Sequence, residues 1–187
     1  MKVYTGIGSR KTPESVTDLM SDIAVVLYDA GYTLRSGRAE GADYAFQRGA
    51  EYGLKQSKTA KVQQEIYIPN SRFNKCFGRI GEINPEYLDN YDEASDWMYS
   101  IHPKGQYLRG FAREAHIRNV YQVLGLDLKS PSNFLICWTP LDFDGEPTGG
   151  TATAWKLAKV HKIPSYNLFV EDDLERLQKD ILELANV

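Results

Sequence analysis

The segment that decides the fold lies at residues 34–43 and reads Leu34-Arg35-Ser36-Gly37-Arg38-Ala39-Glu40-Gly41-Ala42-Asp43. Residues 32–35 have the composition of a strand, the Ser-Gly pair interrupts it, and a helix is expected to begin near residue 41 or 42. A strand, a glycine turn and a helix in this order leave backbone N–H groups free at the helix N-terminus. Such groups favour a phosphate or another anion.

Two other turns have the same character. Residues 5–10 read Thr-Gly-Ile-Gly-Ser-Arg after a first predicted strand, and residues 147–151 read Pro-Thr-Gly-Gly-Thr after a late one. Because all three turns follow strands and precede helices, they are expected at the carboxyl edge of one parallel sheet, where such sheets bind ligands. The three turns together indicate one composite site of the nucleotide-binding kind.

The rest of the chain alternates strands with helices. Strands are predicted at residues 3–7, 65–69, 133–138 and 163–169, and amphipathic helices near residues 13–30, 42–50, 111–124, 151–161 and 174–184. This alternation predicts an α/β protein with a Rossmann-like, mostly parallel sheet and helices on both faces. We expect one domain over residues 1–187, with an insertion at about 72–110. That insertion either covers one end of the sheet or builds a contact in a homo-oligomer.

The composition of the chain disfavours several classes of function. The formal net charge is −3 and the pI about 5.7, which argues against a protein that lives on a nucleic-acid backbone. The sequence has no apolar run of membrane-spanning length, and residues 1–4 lead into a strand without a signal peptide, so we predict a cytoplasmic protein with no membrane partner. Cys76 and Cys137 are far apart, and the histidines lack metal-ligand spacing. No metal site and no cofactor are predicted.

The candidate ligand-binding residues come from the three turns and from one later helix. They are Gly8, Ser9, Arg10, Ser36, Gly37, Glu40, Gly41, Asp43, Arg118, Asn119, Thr148, Gly149, Gly150 and Thr151. The glycines would let backbone approach phosphate oxygens, the hydroxyls would bind phosphate or ribose, and the arginines would grip a phosphate with paired N–H groups.

Each of these roles has a structural alternative. The glycines could serve only to turn strands into helices, and the hydroxyls could cap helices. Asp43 falls in the first turn of a helix, where the dipole favours a carboxylate without any ligand. Glu40 is interpreted either as a ribose contact or general base, or as a solvated loop acid. Arg10 could be a solvated surface charge.

Three stretches resemble a known family. Residues 36–43 are similar to the SG-x-A-x-G-x-D segment of DprA (Smf) proteins, and residues 111–119 loosely resemble that family's Phe-x-x-Arg-Asn element, with Phe111 further upstream. Residues 149–154, with Ala158 and the Ile163-Pro164 pair, resemble its glycine turn, Thr-Ala helix and following strand. The resemblance implies membership of the Rossmann-like SLOG superfamily, which includes DprA and the LOG cytokinin-activating phosphoribohydrolases.

The resemblance also separates three functions. LOG enzymes carry Pro-Gly-Gly-x-Gly-Thr-x-x-Glu, and alignment on Gly150-Thr151 places Ala154 at the glutamate that assists N-glycosidic cleavage. Binding of a nucleotide or nucleotide-derived small molecule, for sensing, sequestering or processing, is therefore predicted ahead of hydrolysis of nucleoside monophosphates. A DprA-like single-stranded DNA binder is the other alternative, which the acidic composition disfavours.

Overall fold

The computed structural model describes residues 1–58, 61–73 and 80–185. Residues 184 and 185 are described by their backbone alone. Its strands are β1 (Val3–Gly8), β2 (Thr33–Ser36), β3 (Gln64–Tyr67), β4 (Glu82–Ile83), β5 (Phe134–Trp138) and β6 (Ser165–Asn167). They form one sheet in the order β4-β3-β2-β1-β5-β6, and every pairing is parallel. The predicted α/β, Rossmann-like fold is confirmed.

Six α-helices are present in the described residues. They are α1 (Glu14–Asp29), α2 (Ala42–Gln56), α3 (Tyr91–Ile101), α4 (Gly110–Leu124), α5 (Thr151–Val160) and α6 (Glu171–Ala185). Side chains of α1, α2 and α6 share one hydrophobic cluster with the sheet, and side chains of α3, α4 and α5 share the other. The helices therefore cover both faces, as predicted. No helix in the described part of the chain has the length and apolar character that a bilayer crossing requires.

Strand β5 shows why the sheet is buried on both sides. Leu135 and Cys137 point into the cluster of α3, α4 and α5, whereas Ile136 points into the opposite cluster. All three side chains have 0% exposure. Because successive side chains of a strand alternate between faces, a continuous apolar run is what a strand between two helix layers requires. Cys76, the other cysteine, lies outside the described residues.

The segment predicted as an insertion contributes to the fold. Its strand β4 pairs in parallel with β3 at the edge of the sheet, and its helix α3 packs with α4 and α5. Short 3₁₀ turns at Pro85–Tyr87 and Gly105–Tyr107 flank α3. The part of the insertion that the structure describes thus extends both the sheet and one helix layer.

The order of the strands fixes where a ligand can enter. From β1 the chain proceeds outward through β2, β3 and β4, and then returns to place β5 on the other side of β1. The loops that follow β1 and β5 consequently diverge, which opens a crevice at the carboxyl ends of these two strands. Two of the three glycine turns follow these two strands.

Candidate functional site

A cavity of about 420 Å³ occupies this crevice. The loops after β1 and β5, the first residues of α5 and one face of α4 form its walls. Of the predicted residues, its lining includes Gly8, Ser9, Arg10, Asp43, Arg118, Asn119, Thr148, Gly149, Gly150 and Thr151. The structure therefore brings parts of all three predicted segments together with residues of α4.

The turn before α5 presents open backbone. A Cβ atom built on Gly149 or on Gly150 would meet no atom within 4 Å, and Gly149 has φ 67°, which favours glycine. In the described residues, neither the Gly150 amide nor the Thr151 amide has a hydrogen-bond partner. Asn119 holds the turn in place, since its side-chain amide donates to the Gly150 carbonyl oxygen at 2.9 Å. Free amides at the start of a ten-residue helix form a site that favours an anion.

Arg118 brings a buried cation to the same cavity. Its side chain is 9% exposed, and its Nη1 donates to the Gly37 carbonyl oxygen at 2.6 Å. Its Nε has no hydrogen-bond partner among the described residues. One helical turn further along α4, Gln122 is fully buried, and both polar atoms of its side chain also lack partners there. Because unsatisfied buried polar atoms cost free energy, these groups are suited to a polar ligand in the cavity.

Asp43 provides a buried carboxyl group beside Arg118. One of its oxygens accepts from the Gly8 amide at 3.2 Å, and the other lies 3.4 Å from the Ala39 amide and 3.6 Å from Arg118 Nη1. Burial raises the pKa of Asp43 to about 6, although Arg118 and the hydrogen bonds from backbone amides act in the opposite direction. The carboxyl group therefore titrates close to neutral pH and links the first two glycine turns.

The glycines of those first two turns make room for protein atoms. A Cβ on Gly37 would lie 1.6 Å from Arg118 Nη1, and one on Gly8 would lie 2.7 Å from the Trp138 carbonyl oxygen. Gly41, with φ 78°, would place its Cβ 2.5 Å from the Ser9 carbonyl oxygen. These three positions allow close packing around the site, which is the structural alternative for a glycine turn.

Four of the predicted residues lie outside the cavity lining, as packing or surface groups. Gly37 and Gly41 pack as described, and the Ser36 hydroxyl is buried and donates to the Gly6 carbonyl oxygen at 2.6 Å. Glu40, the fourth predicted residue that does not line the cavity, is exposed on the loop before α2. The carboxyl group that lines the cavity is that of Asp43.

Helix α4 supplies lining residues that sequence reasoning did not select. Phe111, His116 and Gln122 join Arg118 and Asn119 along the cavity. The spacing of residues 111, 115, 118 and 122 places them on one helical face, and this periodicity is the signal that could have revealed them. A buried face that carries an arginine, an asparagine and a glutamine is unusual for a helix in a core.

His116 is held in its neutral form. Its Nδ1 lies 2.8 Å from the Thr153 hydroxyl, and its ring packs edge-to-face on His102 with centroids 4.5 Å apart. Burial, together with the neighbouring His102 and Arg118, lowers the pKa of His116 to about 4. At neutral pH it therefore adds hydrogen-bonding capacity to the cavity and no charge.

An aromatic pair stands at the mouth of the cavity. The rings of Phe73 and Phe111 stack with centroids 5.7 Å apart at an angle of 23°, and Phe111 is 53% exposed. Arg10 and Lys11, both exposed, line the same opening. Apolar ring faces and basic side chains thus lie together at the entrance. Within the described residues, no group of three His, Cys, Asp or Glu side chains is placed to hold a metal ion.

The fold and the cavity define a Rossmann-like α/β protein with a polar crevice at the point where the strand order reverses. No protein-family model matches the chain, and no curated protein sequence matches it significantly. Among solved structures, the chain is similar to the Moco carrier protein of Chlamydomonas rheinhardtii, with 16% identity, a TM-score of 0.47, and coverage of 97% of this chain and 85% of that one.

The chain is also similar to DNA processing protein A from Helicobacter pylori, whose structure concerns single-stranded DNA binding. The identity is 15% and the TM-score 0.49, over 100% of this chain and 79% of that one. Neither likeness is close enough to transfer a ligand, a partner or an activity to this chain. The chemistry of the cavity is therefore taken from its own residues.

Proposed function

We propose that the cavity binds a nucleotide or a nucleotide-derived small molecule, with a phosphoryl group at the turn before α5. The open backbone of Gly149 and Gly150 carries this proposal, and the buried Arg118, whose Nε has no partner among the described residues, lines the same cavity. Phosphate groups favour free amides at a helix N-terminus and a guanidinium as donors. Gln122 would satisfy its buried amide against the same ligand.

The mouth of the cavity supports the nucleotide part of the proposal. The half-exposed ring of Phe111 offers a flat apolar surface on which a base can stack. Phe111 and the turn before α5 line the same cavity. A ligand with an anionic end and an aromatic end would thus engage both walls, whereas a phosphosugar would engage only one.

The chemistry of the cavity favours a ligand that is held intact. Ala154, at the position of the glutamate in the LOG motif, is fully buried in the core and does not line the cavity. Asp43 is the one carboxyl group among the described lining residues, and hydrogen bonds from the Gly8 and Ala39 amides fix its orientation. This arrangement supports the proposal that the protein senses or sequesters a nucleotide. Self-association and a cytoplasmic location stay predictions.

Calorimetric titration with the common nucleoside monophosphates tests the proposal. We expect at least one of them to bind in the micromolar range or more tightly, and Gly150→Val to abolish binding because its side chain would occupy the phosphate position. Gly150→Ala is the size control, since Gly150 has φ −62° and alanine fits there without backbone strain. Normal affinity in a folded Gly150→Val variant would remove this turn from the site.

Two further measurements separate the alternatives. Chromatography of each monophosphate after incubation with the protein would reveal free base if the protein were an N-glycosidic hydrolase. A labelled single strand titrated at two salt concentrations would reveal strongly salt-dependent affinity if the protein bound DNA. We expect neither.

A further inference from the structure

A second cavity adjoins the first one on the far side of the phosphate-binding turn. Its volume is about 330 Å³, and it shares Thr148 and Gly149 with the first cavity. Gly149 carries no side chain, and a Cβ built there would meet no atom within 4 Å. The two cavities therefore adjoin at Gly149, where only backbone atoms lie between them.

The second cavity is lined by cations that have no anionic partner. Lys104, after α3, and Lys156, on α5, both contribute to its walls. No carboxylate lies within salt-bridge distance of either ammonium group among the described residues. Elsewhere on α5 the corresponding charge is neutralised, since Lys159 pairs with Glu146 at 2.6 Å.

One carboxylate in this cavity offsets one of its two lysine charges. Asp142 lines it, but its Oδ1 already accepts hydrogen bonds from the Asp144 amide at 3.0 Å and the Glu146 amide at 2.9 Å. The ring of His102 accepts at Nδ1 from the Lys104 amide at 3.1 Å. Burial lowers the pKa of His102, and the charges of Lys156 and Lys104 act in the same direction. Two lysines without a salt bridge thus face one carboxylate, and the cavity keeps a net positive charge.

We infer that the ligand carries a second phosphoryl group, which crosses Gly149 and is neutralised by Lys104 and Lys156. The inference rests on the proposed function, because it places the first phosphoryl group at the turn before α5. Lysine suits this role because its ammonium acts as a point charge that follows a phosphate without fixed geometry. Nucleotides with a chain of two or more phosphates are the ligand class that this arrangement selects over monophosphates.

Titration of matched ligands tests the inference. The four common ribonucleoside 5′-monophosphates and the corresponding 5′-diphosphates are titrated calorimetrically into the wild-type protein and into Lys104→Gln/Lys156→Gln. Lys159→Gln is the control, since it removes one charge from the same helix outside both cavities. Thermal unfolding of each variant verifies that the substitutions leave the fold intact.

For the base that binds best, we expect the diphosphate to bind about tenfold more tightly than the monophosphate, the size typical of two partly exposed ion pairs. The double variant should lose that advantage and keep its monophosphate affinity, while Lys159→Gln keeps both. The advantage should also shrink at high salt. Equal affinities of mono- and diphosphate in the wild-type protein, or an equal loss of both in the double variant, would overturn the inference alone. Absence of binding by every nucleotide would overturn the proposed function with it.

Discussion

Replacement of Asp43 by asparagine should remove a large pH dependence from the stability of this protein. The Asp43 carboxyl group is 3% exposed, and burial raises its pKa from an ordinary 3.8 to about 6. A carboxyl group whose pKa is higher in the folded than in the unfolded chain favours folding in its protonated form. Its contribution is complete below pH 3.8 and is lost as the pH rises through about 6.

The magnitude follows from these two pKa values. Each tenfold change in proton affinity corresponds to about 1.4 kcal/mol, so the difference between 3.8 and about 6 amounts to about 3 kcal/mol over the full titration. Between pH 4 and pH 7.5, most of this difference, about 2 to 3 kcal/mol, should appear. Asparagine cannot ionise, so Asp43→Asn should lack it. The measured quantity is the stability of the wild type minus that of the variant.

Urea unfolding followed by tryptophan fluorescence at several pH values between 4 and 7.5 measures this difference. The wild type should lose about 2 to 3 kcal/mol relative to Asp43→Asn across this range. Asp18→Asn is the matched control: Asp18 is exposed on α1 and pairs with Arg48 at the surface, so its profile should follow that of the wild type. Parallel profiles of Asp43→Asn and the wild type would refute the reasoning, because they would show that the native state does not penalise the Asp43 carboxylate.

Three further substitutions test the site. Gly37→Ala would force a Cβ to within 1.6 Å of Arg118 Nη1, so we expect a loss of about 2 to 4 kcal/mol in urea unfolding; a loss below 1 kcal/mol would mean that Arg118 moves freely. Arg118→Lys should weaken nucleotide binding by about 1 to 3 kcal/mol in calorimetry because lysine lacks the planar guanidinium, and unaltered affinity would make Arg118 purely structural. Phe111→Ala should cost about 1 to 3 kcal/mol for a nucleotide but nothing for ribose 5-phosphate, and equal losses would exclude base stacking.

The strands and helices that could be predicted are those with a strong local pattern. The apolar run of β5 predicted a strand and is typical of burial on both faces, and Leu135, Ile136 and Cys137 are buried in alternating clusters. The periodic apolar residues of α1 predicted its length, and its observed end at Asp29 lies one residue before the predicted one. Local patterns suffice here because the spacing of apolar residues within each element determines both its type and the face that it buries.

Elements set by distant pairing were not predictable in the same way. Strand β4 has only two residues, Glu82–Ile83, and neither is fully buried. It exists because it pairs with β3, and Gly81 allows close approach there, since a Cβ would lie 2.4 Å from the Gln64 carbonyl oxygen. The pairing with β3 outweighs the weak local propensity of this segment.

The glycine turns show what sequence can and cannot say about a site. Gly37 and Gly150 are the same residue type in similar strand-turn-helix contexts, and both were predicted to approach a ligand. Their surroundings differ, because Gly37 is filled by Arg118 and Gly150 faces open space. A glycine shows that something comes close to the backbone, but only the fold shows whether this is a side chain or an unoccupied volume.

The polar residues of α4 resolve that ambiguity. Arg118, Asn119 and Gln122 are each less than 10% exposed, although the core of a small protein gains nothing from burying such groups. Asn119 donates to the Gly150 carbonyl oxygen in the turn before α5, and Arg118 donates to the Gly37 carbonyl oxygen in the turn before α2. The side-chain amide of Gln122 has no partner among the described residues. The buried polar face of α4 thus positions the backbone around the crevice. A fold optimised for stability alone would place apolar side chains there, and the ligand that we propose would offset the cost of this face.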